Sequence, residues 1–147
     1  MSGLILHAQL KQDCHVLGRF PLSLLLLLDD AQYPWFILVP QRRDVCEIHH
    51  LCEADQQQLL RESVILAQAM ERAFTPDKMN VAALGNVVPQ LHVHHIARFR
   101  DDPAWPAPVW GRLPPVAYAP DELKLVRDIL TGELLNNPAT DFHLCAS

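Results

Sequence analysis

The sequence lacks the marks of several protein classes. No two of its four cysteines, Cys14, Cys46, Cys52 and Cys145, stand in Cys-x-x-Cys spacing, so they read as core or surface thiols rather than metal ligands. Met1-Ser2-Gly3-Leu4 opens no basic-then-apolar signal pattern, and the expected setting is a reducing cytoplasm. The most apolar run, Leu22 to Leu28, is far short of the roughly 20 residues that cross a bilayer, so no membrane association is expected. Positive charge is also scarce. Twelve Lys plus Arg face seventeen Asp plus Glu, a net charge of −5 with His neutral, which is the wrong sign for broad binding to nucleic acid or anionic lipid. Five glycines without a period and only 20% charged residues argue against a fibrous repeat, a coiled coil and disorder.

What remains is a chain of 147 residues, half of them apolar, and a chain of this length buries roughly 68–70% of its extended surface in one domain. That apolar fraction is high for so few helical segments, which implies a sheet face or edge covered by a second copy of the chain, and hence an oligomer. The unusual abundance is histidine, with eight residues.

Along the chain, Leu4 to Leu10 and His15 to Phe20 read as short strand-like pieces, with Gly18 at a turn or bulge. Leu22 to Leu28 has the continuous apolar character of a buried strand, and Trp35 to Val39, between Pro34 and Pro40, is its antiparallel neighbour. From Glu53 to Phe74 apolar residues recur at helical spacing, and Thr75-Pro76 ends the helix. Met79 to Leu84 and Gln90 to Phe99 read as two more strands flanking Gly85-Asn86. Six of the twelve prolines lie between Pro103 and Pro120, together with Trp105, Trp110 and Tyr118, which predicts an extended loop, over a ligand pocket or packed under the sheet. A last helix over Asp121 to Leu130, with Gly132 beyond its end, precedes a loosely held tail.

The chemistry concentrates in Gln90-Leu91-His92-Val93-His94-His95. On a strand, Gln90, His92 and His94 share one face, and the two imidazoles stand about 6.5–7 Å apart at Cα, close enough to touch one phosphate-sized group. Three uses fit this spacing. The rings can be half-buried polar residues of a sheet face. They can bind zinc or copper, given further ligands such as His49 or His50. Or one neutral imidazole can attack phosphorus while its neighbour donates a hydrogen bond to the leaving oxygen. His95 falls on the opposite face with Leu91 and Val93, where it packs or meets a second copy.

Strand order, then Asn80-Val81, the turn Gly85-Asn86-Val87-Val88-Pro89 and the strand Gln90-Leu91-His92-Val93-His94, resembles the histidine triad (HIT) family of nucleotide hydrolases and transferases. Trp35-Phe36-Ile37-Leu38-Val39-Pro40 is similar to the family's earlier strand ending in proline. The resemblance runs from about Leu22 to Arg98 and implies an α+β fold: an antiparallel sheet of about five strands, one long helix and a short C-terminal helix, as a homodimer. The HIT-like domain would span 1–111 and a C-terminal extension 112–147.

By that resemblance His92 is the nucleophile that takes the α-phosphoryl group of a nucleotide, His94 contacts phosphate or the bridging atom, and no metal or other cofactor is needed. Asp29 stands near the family's ribose-binding position. Asn80, Gly85, Asn86 and Val87 occupy the strand and turn that meet the substrate, with backbone N–H groups as phosphate donors. Gln90 replaces the first histidine, whose place in the family is to support the other two, and a glutamine can still hydrogen-bond there. Pro34-Trp35 stands where the family often has Gly-His, so the relay histidine is missing; Trp35 would pack in the core or against a base. Val87 replaces a Ser/Thr hydroxyl. These departures leave two further readings: a nucleotide-binding protein without turnover, and a metal-binding protein using His92 and His94.

Overall fold

A computed structural model describes residues 4–146. In chain order it contains α1 (Ala8–Asp13), β1 (Cys14–Arg19), β2 (Ser23–Leu28), β3 (Trp35–Pro40), α2 (Glu53–Phe74), β4 (Lys78–Ala82), β5 (Val93–Arg98), α3 (Pro120–Leu135) and β6 (His143–Leu144). Every strand pairing is antiparallel, and the order across the sheet is β4-β5-β3-β2-β1-β6. The fold is α+β, with six strands where five were expected.

The two faces of the sheet are covered differently. On one, Leu25, Leu27, Phe36, Leu38, Val93 and Ala97 pack against Leu59, Leu66 and Met70 of α2 and Leu130 and Leu134 of α3. On the other, Leu26, Trp35, Ile37, Val39 and Ile96 meet Leu6 and Leu10 at the N-terminus, Val88, and Ala104 and Val109 from the proline-rich loop. Because side chains alternate along a strand, neighbours His94 and His95 go to opposite covers.

α2 has the bounds its periodicity predicts, and Thr75, in the left-handed conformation, closes it with an N–H to the Glu71 carbonyl. The expected strand over Leu4 to Leu10 is instead an extended 4–7 segment leading into α1. His7 accepts the Gln9 N–H on Nδ1, and its carbonyl accepts the Lys11 N–H, so a local cap outweighs the β-like composition. α3 runs past Gly132 to Leu135 because Leu130, Thr131 and Leu134 are buried, and that packing holds a glycine inside the helix.

The tail is not loosely held. Phe142 is buried against Phe20, at 5.1 Å between ring centroids, and β6 pairs with β1. Gly18 permits this: a Cβ there would lie 2.4 Å from the His143 carbonyl oxygen, at the register shift between Val16 and Gly18. No helix among the described residues is long and apolar enough to cross a membrane.

Candidate functional site

β5 is shorter than expected. Its ladder begins at Val93, opposite Leu38, so Gln90, Leu91 and His92 precede the sheet. Leu91 donates its N–H to the Val45 carbonyl, which turns the chain away from the ladder. The two imidazoles nevertheless meet, with His92 and His94 ring centroids 4.9 Å apart and the rings tilted by 72°.

The rings are pinned by partners of fixed polarity, His92 through one nitrogen and His94 through both. His92 Nδ1 lies 2.7 Å from the Gln90 carbonyl oxygen. A carbonyl only accepts, so Nδ1 carries the proton and Nε2 of the neutral ring holds the lone pair. His94 is pinned the other way round. The Trp35 indole N–H reaches His94 Nδ1 at 2.9 Å, and His94 Nε2 lies 3.1 Å from the Leu84 carbonyl oxygen. Burial, outweighing the Leu84 hydrogen bond and helped by His92, lowers the His94 pKa to about 4.

The turn before the strand is shaped to this pair. A Cβ on Gly85 would come 2.8 Å from the Val88 carbonyl oxygen and 3.3 Å from His92 Cε1, so only glycine lets the backbone approach the ring. Gly85, Asn86 and His92 share a cavity of about 170 Å³, while Asn86 and Val87 are exposed. A second cavity of about 430 Å³ lies on the far side of Trp35 and is lined by Asp29, Asp30, Trp35 and Trp110. Trp35, His94 and Trp110 form a near-perpendicular cluster, with centroid separations of 5.1–5.6 Å.

Other residues singled out in the sequence have different partners. The Gln90 side chain accepts the His7 N–H and donates to the Ile5 carbonyl; it clasps the N-terminal segment, and only its backbone oxygen supports His92. The Asn80 side-chain oxygen accepts from Arg98 Nη1 at 2.8 Å. Asp29 accepts the Tyr118 N–H and faces His15 at 3.6 Å. His95 is fully buried on the helical face, donating Nδ1–H to the Val93 carbonyl and accepting from Ser63 Oγ at 2.7 Å on Nε2. His49 and His50 are exposed in a short 3₁₀ turn, and no group of three or more His, Cys, Asp or Glu among the described residues converges to hold a metal ion.

Arg98, at the end of β5, meets an acidic neighbour inside the fold. Its guanidinium, 1% exposed, pairs with both oxygens of Asp102 and donates to Asn80 and to the Ala107 carbonyl. The Tyr33 and Trp105 rings lie over it at 5.9 and 5.7 Å. Burial pushes the Asp102 carboxyl pKa up, but Arg98 and the backbone N–H groups of Phe99, Ala104 and Trp105 outweigh it and hold it below its ordinary value. This network anchors the proline-rich loop so that Trp110 stands against His94.

Local sequence pattern does not reveal the Trp35–His94 hydrogen bond or the Arg98 network, both of which join residues far apart along the chain or on different elements. Trp35 read as core; the signal for more was its place two residues before Ile37, the partner of His94 across the ladder, which makes it a diagonal neighbour of His94.

The family model for the HIT domain matches residues 9–101. The chain belongs to the histidine triad family. A histidine triad protein from Marinobacter aquaeolei VT8 is 47% identical, with 92% of this chain and 98% of that one covered and a TM-score of 0.88. One from Bradyrhizobium japonicum is 45% identical over 89% and 98% of the two chains, with a TM-score of 0.87. One from Sinorhizobium meliloti 1021 is 37% identical over 89% and 97%, also at 0.87. No curated protein matches the chain. HIT proteins generally act on nucleotides and are commonly hydrolases.

Proposed function

We propose that the protein is a nucleotide hydrolase or nucleotidyl transferase that acts on the α-phosphate of a nucleoside phosphoester, phosphoanhydride or phosphoramidate through a nucleotidyl-histidine on His92. The observation that carries this is the 2.7 Å hydrogen bond from His92 Nδ1 to the Gln90 carbonyl, which leaves Nε2 as the lone-pair nitrogen of a ring packed against Gly85 through its Cε1 edge. Nε2 attacks phosphorus, a P–N bond forms, and the bond to the leaving group breaks with its electron pair on the leaving atom. Nδ1 keeps its proton, so the nucleotidyl-imidazolium faces the Gln90 carbonyl. Water then attacks phosphorus, the P–N pair returns to Nε2, a proton passes to solvent, and the mononucleotide departs.

The backbone N–H groups of residues 85–88 serve the phosphate oxygens, with Asn86 beside them and Val87 at the rim. The cavity walled by Trp35 and Trp110 takes the nucleoside, with Asp29 toward the ribose hydroxyls. Asn80 acts at one remove, through Arg98. The proposal includes a homodimer in a reducing cytoplasm: β4 is an edge strand with Val81 51% exposed, a surface for a second copy, and light scattering reads that state directly.

Incubation with diadenosine polyphosphates and adenosine phosphoramidates is expected to label His92 and release a nucleoside monophosphate. His92→Ala is expected to abolish both, and turnover unaffected by that change would overturn the mechanism. The second reading, nucleotide binding without turnover, is favoured by one observation: the Gln90 side chain is committed to the N-terminal segment and gives His92 no side-chain support. Calorimetric binding that weakens in His94→Ala, with no product over hours, would establish it.

A further inference from the structure

His94 and Trp35 constrain each other more tightly than packing requires. The register places Ile37 opposite His94 and Trp35 opposite Ile96, so the indole and the imidazole are diagonal neighbours on one face. Trp35 is 6% exposed and has little room to move, with Tyr33 edge-on at 6.2 Å and Trp110 at 5.5 Å. An indole nitrogen can only donate. The atom it meets at 2.9 Å, His94 Nδ1, must therefore be an acceptor without a proton.

We infer that Trp35 is a positioning residue that fixes His94 as the neutral Nε2–H tautomer, so that His94 can only donate a hydrogen bond to a departing group and cannot hand it a proton as an imidazolium. The contact on the other nitrogen agrees: Nε2–H points at the Leu84 carbonyl oxygen, which only accepts. Protonating Nδ1 would set two N–H groups head to head in a buried place. His92 is the titratable side chain in ring contact with His94, Asp29 and Asp30 line the cavity beyond Trp35, and among the described residues the hydrogen-bond partners of the ring are Trp35 and the Leu84 carbonyl, with no carboxylate to favour its charged form.

The consequence for substrate class rests on the reading proposed above. A leaving group that receives only a hydrogen bond must depart as a stable anion. Phosphate and polyphosphate do so near neutral pH, whereas an amine must gain a proton as the P–N bond breaks. The site therefore favours phosphoanhydrides over phosphoramidates. On substrate binding, Nε2–H passes its hydrogen bond from Leu84 to the leaving oxygen.

The tautomer is read by nitrogen-detected NMR of the imidazole rings, with the His94 signals assigned by their loss in His94→Gln. In the native chain Nε2 is expected to be protonated and Nδ1 bare down to about pH 5; a protonated Nδ1 at neutral pH would overturn the inference without any variant at position 35. Trp35→Phe keeps the aromatic bulk and removes the donor. In it His94 should titrate above its native value, with burial still holding it below the ordinary value, and an unchanged spectrum would overturn the assignment to Trp35.

In activity, the ratio of kcat/KM for a diadenosine polyphosphate to that for adenosine phosphoramidate should exceed one in the native chain. It should fall about tenfold in Trp35→Phe, the size of one lost hydrogen bond to the tautomer. An unchanged ratio overturns the leaving-group preference. Absence of turnover in both proteins overturns the catalytic reading and that preference together, while the NMR result still decides the tautomer.

Discussion

His94 and His95 are adjacent on one strand, both nearly or fully buried, both with a pKa pushed down to about 4 chiefly by burial, and they face different worlds. His95 looks into the helical face, where Ser63 closes its second nitrogen and the side chain is fully buried. His94 looks into the loop face, where it touches His92, Trp35 and Trp110, and Trp35 and Trp110 line the second cavity. A depressed histidine pKa therefore marks burial, not function. What separates the two is the partner: a hydroxyl within the packed core on one face, and on the other an array of rings held open by an anchored loop.

The comparison breaks hardest at the anchor. Arg98→Met leaves Asp102 buried without its cation and is expected to cost about 3–5 kcal/mol in chemical denaturation. Because Asp102 also holds Phe99, Ala104 and Trp105, the loop face should loosen first, with protection from hydrogen exchange lost at 102–110 before α2. Equal loss on both faces would show that the two covers are one cooperative unit.

The next effect separates the histidines. His95→Ala opens a cavity in the core and orphans Ser63, for an expected loss of about 2–3 kcal/mol with turnover within a few-fold of the native rate. His94→Ala should lower turnover by about a hundredfold or more while costing less stability than His95→Ala. Thermal melts and initial rates measured side by side check this, and the reverse pattern would dissolve the distinction between the faces.

The smallest effect is in pH. A histidine whose folded pKa lies below its unfolded value binds fewer protons folded than unfolded between about 4 and 6.5, so the stability from His94 and His95 is complete above pH 6.5 and is lost as pH falls toward 4. Glu62 works the other way. Its carboxyl is buried on α2, where desolvation outweighs the hydrogen bond from Leu22 N–H and raises its pKa, so its share of stability is lost as pH rises above 4.5. Glu62→Gln removes that opposing contribution and should steepen the fall in Tm between pH 7 and 5, whereas His95→Gln should make it shallower. Parallel curves for the two variants would show that neither group titrates on unfolding.

Much of this was legible in local pattern. α2 could be read to the residue, since 22 residues of helical periodicity bounded by Thr75-Pro76 leave little freedom. β2 and β3 followed from apolar runs between prolines and aspartates, and the meeting of His92 with His94 followed from their spacing. The short elements could not be read so. α1 is six residues capped by His7, and β6 is two residues that exist only because Gly18 has no side chain in their path.

The sequence by itself determined which residue types stand together along the chain: the His92/His94 pair, the glycine that admits it and the long helix behind it. All of these rest on contacts between residues close in sequence, where periodicity and turn chemistry decide the outcome. The tertiary structure alone decided protonation and access. Trp35 reaches His94 across 59 positions, and Asn80 reaches Arg98 across 18. The proton on an imidazole follows from whether its partner donates or accepts, and that partner is chosen by the register of two strands rather than by any neighbour along the chain.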